Sequence, residues 1–501
     1  MGVINSKPPI NLLVLVIFQI IFEMKRKLLS LVTFLATATL LAQTPCVNGF
    51  AGDYPCDGYD LLSFIPWTTF GATNANDSWG WTDPQDGKEY ALVGVSDGVA
   101  FLDISDPVNP LYLGKLPTHT GASLWRDLKT YNNYVFVVSE AGGHGMQVFD
   151  LTRLRNVANP PETFTEDAHY AGFGSAHNVV INESEGYAYG VGTSSFGGGA
   201  HFVDISDPLN PVAAGGYSEE DYTHDGQVVT YSGPDTDYTD HEIYIGSNED
   251  KVVIVDVSDK NDPQTISTIS YTNIAYTHQG WLTENHEKFI LGDEIDELNF
   301  GFNTRTVIFD VSDLDNPTFD FEYFGPTPAT DHNVYVKDDV LYLANYKAGI
   351  RVLDISDIDN QNITETGYFD VYTPSDTAGY DGAWNVYPYF ESGNILISSL
   401  QFGDSNYLGG MYIVRSSSLG LEDFSNTNDI KILPNPAVNE IKISSTEAAI
   451  TSVQIADVMG KVLFSEGKMN TLNKTIDFSS FTQGVYFVNI NNSITKKIIK
   501  K

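Results

Sequence analysis

Short runs of apolar, mostly β-branched or aromatic residues recur along the chain, each bounded by polar or glycine-containing turns. One stretch reads His177-Asn-Val-Val-Ile-Asn182, Gly186-Tyr-Ala-Tyr-Gly-Val191, Ala200 to Ile205, then Pro211-Val-Ala-Ala-Gly-Gly-Tyr217. Runs this short, at this spacing, predict strands rather than helices. The third run of each group of four ends in one phrase, Asp-x-Ser-Asp, usually followed by a proline. It stands at Phe101–Pro110, Phe202–Pro211, Val252–Pro263, Val307–Pro317 and Val352–Asn360, with a worn copy at Val148-Phe-Asp-Leu-Thr-Arg153. Its first Asp falls at 103, 150, 204, 256, 310 and 354, steps of 44 to 54 residues. Four strands repeated at such a period predict the blades of a β-propeller. The phrase itself is read as a turn device. Asp and Ser side chains bond backbone N–H groups two residues on, and Pro pre-sets φ for the next strand. A Ca²⁺ role at each Asp is the alternative, and one or two oxygens per turn fall short of the six to eight that Ca²⁺ takes.

A second periodicity counts the blades. The first strand of each unit opens on a large ring: Trp79, Trp125, His177, His224, His278, His332 and Trp384. Seven marks predict seven blades. The last unit supplies Asn394-Ile-Leu-Ile-Ser398 and Gly410-Met-Tyr-Ile-Val-Arg415 but no fourth strand, whereas Tyr59-Asp-Leu-Leu-Ser-Phe-Ile-Pro66 is a strand without a unit. It is expected to complete the last blade, so that no long sheet edge stays open. The expected architecture is all-β: a seven-bladed propeller of four-stranded blades over residues 44–420, a polar linker at 421–429, and a small C-terminal β-sandwich over 430–501.

Charge sharpens the division. The 501 residues carry a net charge of −38, but residues 427–501 hold nine Lys against six acidic residues. The negative charge is therefore concentrated in the central part, which would repel phosphate backbones and argues against nucleic-acid binding. At the N-terminus, Met24-Lys-Arg-Lys27 forms a basic n-region, Leu28 to Leu41 an apolar segment and Ala42-Gln43 a cleavage site. Residues 1–43 are read as a signal segment with its start at Met24. No later apolar run reaches the roughly 20 residues of a spanning helix. The two cysteines, Cys46 and Cys56, are expected to pair once the chain is exported.

Several of these features carry a resemblance. Val252-Val-Ile-Val-Asp256 resembles the LVIVD repeat of exported proteins. The wider series resembles the choice-of-anchor B family: Cys46 to Cys56, Trp79-Gly-Trp81, Trp125-Arg-Asp127, His177-Asn178, His224-Asp225, His278-Gln-Gly-Trp281, Asp331-His-Asn333 and Trp384-Asn-Val-Tyr-Pro-Tyr389. That resemblance covers about residues 44–418 and implies a shared body with varied surface attachment; it implies no known catalytic activity and so carries no active site across. Lys431-Ile-Leu-Pro-Asn-Pro-Ala437, Asp457-Val-Met-Gly-Lys461, Gly484-Val-Tyr-Phe-Val488 and Lys496 to Lys501 resemble a type A sorting domain of the type IX secretion system. This implies a Bacteroidota-type bacterium, export to the surface or medium, and the type IX machinery as a partner.

Candidate chemistry gathers where the first strands would line a central channel. Trp125, Arg126, Asp127, His177, His224, Asp225, His278, His332 and Trp384, with Trp79, would form one rim at a channel mouth. Convergent polar groups at a ring centre are the default binding site. The rim could hold an extracellular ligand, or a divalent metal (Zn or Ca) on His224, His278 and Asp225, or could simply lock blade to blade through its imidazoles. Gly292-Asp-Glu-Ile-Asp-Glu297 adds an acidic loop, with Asp293, Glu294 and Asp296 as candidates for Ca²⁺, although a solvated loop is the simpler expectation. No nucleophile elbow, HExxH helix or CxxC pair is present. A monomeric extracellular binding module is expected in preference to its rival, a channel-centred metal-assisted hydrolase or lyase.

Overall fold

The computed structural model describes residues 43–417, 430–434, 437–445, 449–457, 461–491 and 494–501. The signal segment expected over residues 1–43, except for Gln43, and the linker expected at 421–429 lie outside the described residues.

The described chain is all-β. Seven sheets lie between Phe50 and Ser416, and two more follow. The stretch singled out above forms Asn178–Asn182, Tyr187–Val191, His201–Asp204 and Val212–Gly216, paired antiparallel in chain order. The next two sheets repeat the plan from Asp225–Thr230 to Gln264–Ile269 and from Thr277–Leu282 to Thr318–Phe324. The worn copy departs from it. Asp150 leads into a 3-10 turn, Leu151–Asn156, and the fourth strand is delayed to Ala168–Tyr170.

The runs are apolar at every position, not every second one, because both faces of each sheet are covered. Val252 and Ile254 pack forward with Leu291 and Phe309 of the following sheet. Val253 and Val255 pack backward with Tyr189 and Phe202 of the preceding one. One strand thus feeds two cores, each buried side chain contributing about 1.5–3 kcal/mol. The first strands touch one another in sequence, and that of the last sheet, Gly382–Tyr387, touches that of the first, Ala75–Thr82.

Six turns confirm the role of the repeated phrase. The first Asp accepts a hydrogen bond from the backbone N–H two residues on: Ser105 on Asp103, Thr152 on Asp150, Ser206 on Asp204, Ser258 on Asp256, Ser312 on Asp310 and Ser356 on Asp354.

Tyr59–Pro66 pairs antiparallel with Gly410–Ser416, from Tyr59 opposite Ser416 to Pro66 opposite Gly410, and supplies the missing strand of the last sheet. Just upstream, Tyr54–Asp57 pairs with the outer strand Asn362–Phe369 of the sheet before it. Gly58, at φ +69°, makes the step between the two. Cys46 and Cys56 form a disulfide within this segment.

The C-terminal part holds a three-stranded and a four-stranded sheet. Ile441, Ile443 and Ile476 from the first and Val453, Ile455, Val488 and Ile490 from the second share one core.

Candidate functional site

The first strands start irregularly, and the irregularity builds the site. Register breaks fall between Ala75 and Ser78, between Thr277 and Gln279, and between Ala383 and Asn385. An extra residue in a ladder is turned out of it. His278 and Trp384 occupy such positions. His177 and His224 stand immediately before their strands and His332 two residues before its own, each N–H bonded to the neighbouring strand at 2.9 Å.

Six rings follow one another in an arc. Trp125 stacks on Trp384 with centroids 5.1 Å apart. Trp384 meets His332 at 4.0 Å, His332 meets His278 at 4.3 Å, His278 meets His224 at 4.4 Å and His224 meets His177 at 4.2 Å. Three imidazoles tie one sheet to the next. His224 Nδ1 bonds the His278 carbonyl (3.3 Å), His278 Nδ1 the His332 carbonyl (3.1 Å), and His332 Nδ1 the Trp384 carbonyl (2.7 Å). A carbonyl only accepts, so each Nδ1 carries the proton. Burial, aided by neighbouring imidazoles, holds all three well below the ordinary histidine range. They are neutral, and each Nε2 keeps a free lone pair.

The arc opens onto a cavity of about 200 Å³, completed by Glu294, Tyr346, Tyr380, Leu400 and Phe402. Glu294 lies 3.8 Å from His278 Nε2 and 4.0 Å from His332 Nε2. Tyr346 Oη donates to it at 2.6 Å. Burial pushes the Glu294 carboxyl up to about 7, against the pull of the Tyr346 hydrogen bond.

Behind the arc lies a charged layer. Lys129 Nζ sits 2.6 Å from Asp127 and 3.2 Å from Asp77. Desolvation opposes its charge, but Asp127, Asp77 and Asp225 outweigh it and hold the ammonium above its ordinary range. Asp225 is pushed up to about 7 by burial. A void of only about 10 Å³ lies here, lined by Asn76, Asp77, Lys129, Asp225 and the rings.

The structure therefore brings Trp125, His177, His224, His278, His332 and Trp384 to one cavity, and separates four other residues from it. Trp79 sits in mid-strand, with Lys129 Nζ 4.7 Å from its ring centroid, and lines a different cavity of about 100 Å³ with Glu183, Trp281 and Tyr335. Its place in the series falls to Asn76, whose Nδ2 donates to the Leu124 carbonyl, just ahead of the first strand of the next sheet, at 2.6 Å. Arg126 is buried against the Val95 carbonyl, Thr118 and His144, and burial lowers it to about 10. Asp127 accepts from Val179 N and Lys129. Asp225 belongs to the charged layer, because consecutive strand residues point opposite ways. The set His224, His278 and Asp225 is accordingly not assembled. Among the described residues, ligand atoms within 4.8 Å of one another are grouped at His278–Glu294–His332 and at Asp235–Asp313–Asp315.

The acidic loop is not solvated. Asp293 is buried and accepts from Ala275 N, Tyr276 N and Tyr271 Oη. Asp296 is buried against Arg305 Nε at 2.5 Å. Only Glu294 of the three candidates reaches the cavity. Tyr346, Tyr380 and Phe402 come from loops with no repeated spacing, so no periodic signal marks them.

Two family models match the chain. A secretion system C-terminal sorting domain matches residues 431–501. The LVIVD repeat matches residues 173–219 and 243–270, within the sheets that carry His177 and His224. The sorting domain marks a protein that the type IX secretion system carries to the cell surface or the extracellular space. Comparison with curated proteins finds no match. Among the described residues, no helix is long and apolar enough to cross a membrane.

Proposed function

We propose that the chain is an exported binding module, and that its seven sheets are the blades of one closed propeller that presents a ligand site at the mouth of its axis. The ring of touching first strands and the completion of the last sheet by Tyr59–Pro66 support the closed reading. The ordered series from Cys46 to Tyr389 supports the choice-of-anchor B resemblance. On this reading the body spans 44–420, the linker 421–429 and the sorting domain 430–501.

The observation that carries the binding role is the six-ring arc over a cavity of about 200 Å³. Trp125 and Trp384 offer stacked aromatic faces, while three bare Nε2 atoms and Glu294 offer acceptors. Such a lining suits a small hydroxyl- or amine-bearing molecule with one apolar face, the pattern of a sugar ring. A calorimetric screen of the mature protein against monosaccharides and short oligosaccharides tests this. Binding that falls by about 10-fold or more in Trp125→Ala supports the site. The reading is overturned if no member of the panel binds, or if binding is indifferent to Trp125→Ala.

A further inference from the structure

The cavity contains an arrangement that its role as an aromatic pocket does not require. His278 Nε2, His332 Nε2 and the Glu294 carboxylate face one another with separations of 3.8 and 4.0 Å between nitrogen and oxygen. Nδ1 of each imidazole is already committed as a donor to a carbonyl, the His332 carbonyl for His278 and the Trp384 carbonyl for His332. Each Nε2 is therefore an acceptor, and so is the carboxylate. The two Nε2 lone pairs and the Glu294 carboxyl converge at distances too long for hydrogen bonds. Among the described residues, no lysine or arginine pairs with Glu294, whose neighbours at these distances are the two neutral imidazoles.

This is the donor set of a metal centre. Ligating imidazoles characteristically give their other N–H to a carbonyl, and ligating carboxylates are held by a further hydrogen bond. Here the carbonyls of His332 and Trp384 do the first and Tyr346 Oη, at 2.6 Å, does the second. Two nitrogens and one oxygen match zinc and other borderline divalent ions, whereas Ca²⁺ and Mg²⁺ demand oxygens. Tetrahedral coordination with ligand distances near 2.0–2.1 Å sets ligand atoms about 3.3 Å apart. The observed nitrogen–oxygen separations exceed that by about 0.5 and 0.7 Å, within reach of small side-chain rotations. The other group of clustered ligand atoms, Asp235–Asp313–Asp315, consists of carboxylates alone, and two of the three are exposed.

We infer that the outer cavity binds one divalent transition-metal ion, zinc being the best match, through His278 Nε2, His332 Nε2 and Glu294, with its remaining coordination positions open to the cavity. The inference rests on reading that cavity as the binding site and gives it a Lewis-acidic anchor for an oxygen or nitrogen of the ligand.

The test uses the full-length exported protein, stripped with a chelator, dialysed and titrated with zinc, with cobalt(II) as the spectroscopic probe. One equivalent of zinc is expected, with visible cobalt bands of a low-symmetry site. Glu294→Gln keeps the shape and the Tyr346 contact and should weaken zinc by about 10- to 100-fold or more. The double variant His278→Ala/His332→Ala should lose stoichiometric uptake, while Asp313→Asn/Asp315→Asn should retain it. Circular dichroism establishes that each variant is folded. If the double variant does not fold, Glu294→Gln alone decides. The inference is overturned if the stripped protein takes up no stoichiometric zinc at about 0.1 mM, or if uptake is unchanged in Glu294→Gln. Loss of metal binding with saccharide binding intact removes the metal centre but leaves the proposed function. Metal uptake without any organic ligand does the reverse.

Discussion

At the scale of single residues, burial decides which carboxylates set the pH response. Asp370 is almost fully buried where Tyr54–Asp57 docks, its N–H bonded to the Pro55 carbonyl and its Oδ1 accepting from Tyr372 N at 2.8 Å. Desolvation is the main cause that pushes its carboxyl up to about 7; Asp376 adds to this and Arg351 opposes it. The unfolded carboxyl titrates near 3.9. Between about pH 4 and 7 the unfolded chain releases a proton that the folded chain keeps, so stability falls as pH rises through this window. Below it the contribution is fully present. Asp370→Asn retains the acceptor for Tyr372 N and cannot ionise. Its thermal midpoint is expected to fall less than that of the wild type between pH 5 and pH 8, a difference worth about 1–3 kcal/mol. Equal falls in the two proteins would refute the assignment. The residue scale is also where legibility was lowest. Trp79 was placed on the rim because it is a ring at the right interval, but the register break between Ala75 and Ser78 hands that position to Asn76. An asparagine has no marker among rings, and a bulge leaves no periodic trace. Glu294 was legible as an acid in a loop. Its approach to two imidazoles depends on the path of that loop, which no spacing encodes.

At the scale of elements, much more was legible, because strands and turns are local. The repeated Asp-x-Ser-Asp phrase and the spare strand Tyr59–Pro66 each follow from backbone chemistry: an Asx turn needs its acceptor, and a sheet edge needs a partner. What remained unread is that the N-terminal segment serves two sheets. Tyr54–Asp57 extends one and Tyr59–Pro66 completes the next, so the segment staples the first-formed end of the chain across the last two sheets. The disulfide then has a definite task. Cys46 N donates to Asp60 Oδ1 at 2.8 Å, and Cys56 lies in the strand that faces Phe369. Closing this loop holds the strap in register with both sheets. Cys46→Ser/Cys56→Ser is expected to cost about 2–3 kcal/mol, the loop-closure value for a ring of this size. The loss should localise. Hydrogen exchange should quicken in Gly410–Ser416 and Asn362–Phe369 and stay unchanged in Val252–Asp256. Uniform quickening would mean that the disulfide acts on the whole body and not on its closure.

At the scale of the whole molecule, the lysine-rich stretch that matches a sorting domain carries a hydrophobic cluster distinct from those of the seven preceding sheets. The sorting domain has a core of its own, with Ile441 and Ile443 facing Ile455, Val488 and Ile490 across two sheets. A domain with its own core can fold, and fail, separately from the rest. Secretion machinery that reads this domain as a folded surface must then be sensitive to a lesion that leaves the body untouched. Ile455→Asp places an unpaired charge in that core, a penalty of several kcal/mol against a small domain that has little stability to lose. In the producing bacterium the variant is expected to remain inside the outer membrane, detected by fractionation and immunoblot, while the wild type reaches the surface or medium. The retained protein should still bind zinc with one equivalent, because His278, Glu294 and His332 belong to the body. Normal export of Ile455→Asp would show that the machinery reads an extended segment of the tail and not its fold. Export failure accompanied by loss of the zinc site would show that body and tail fold as one unit.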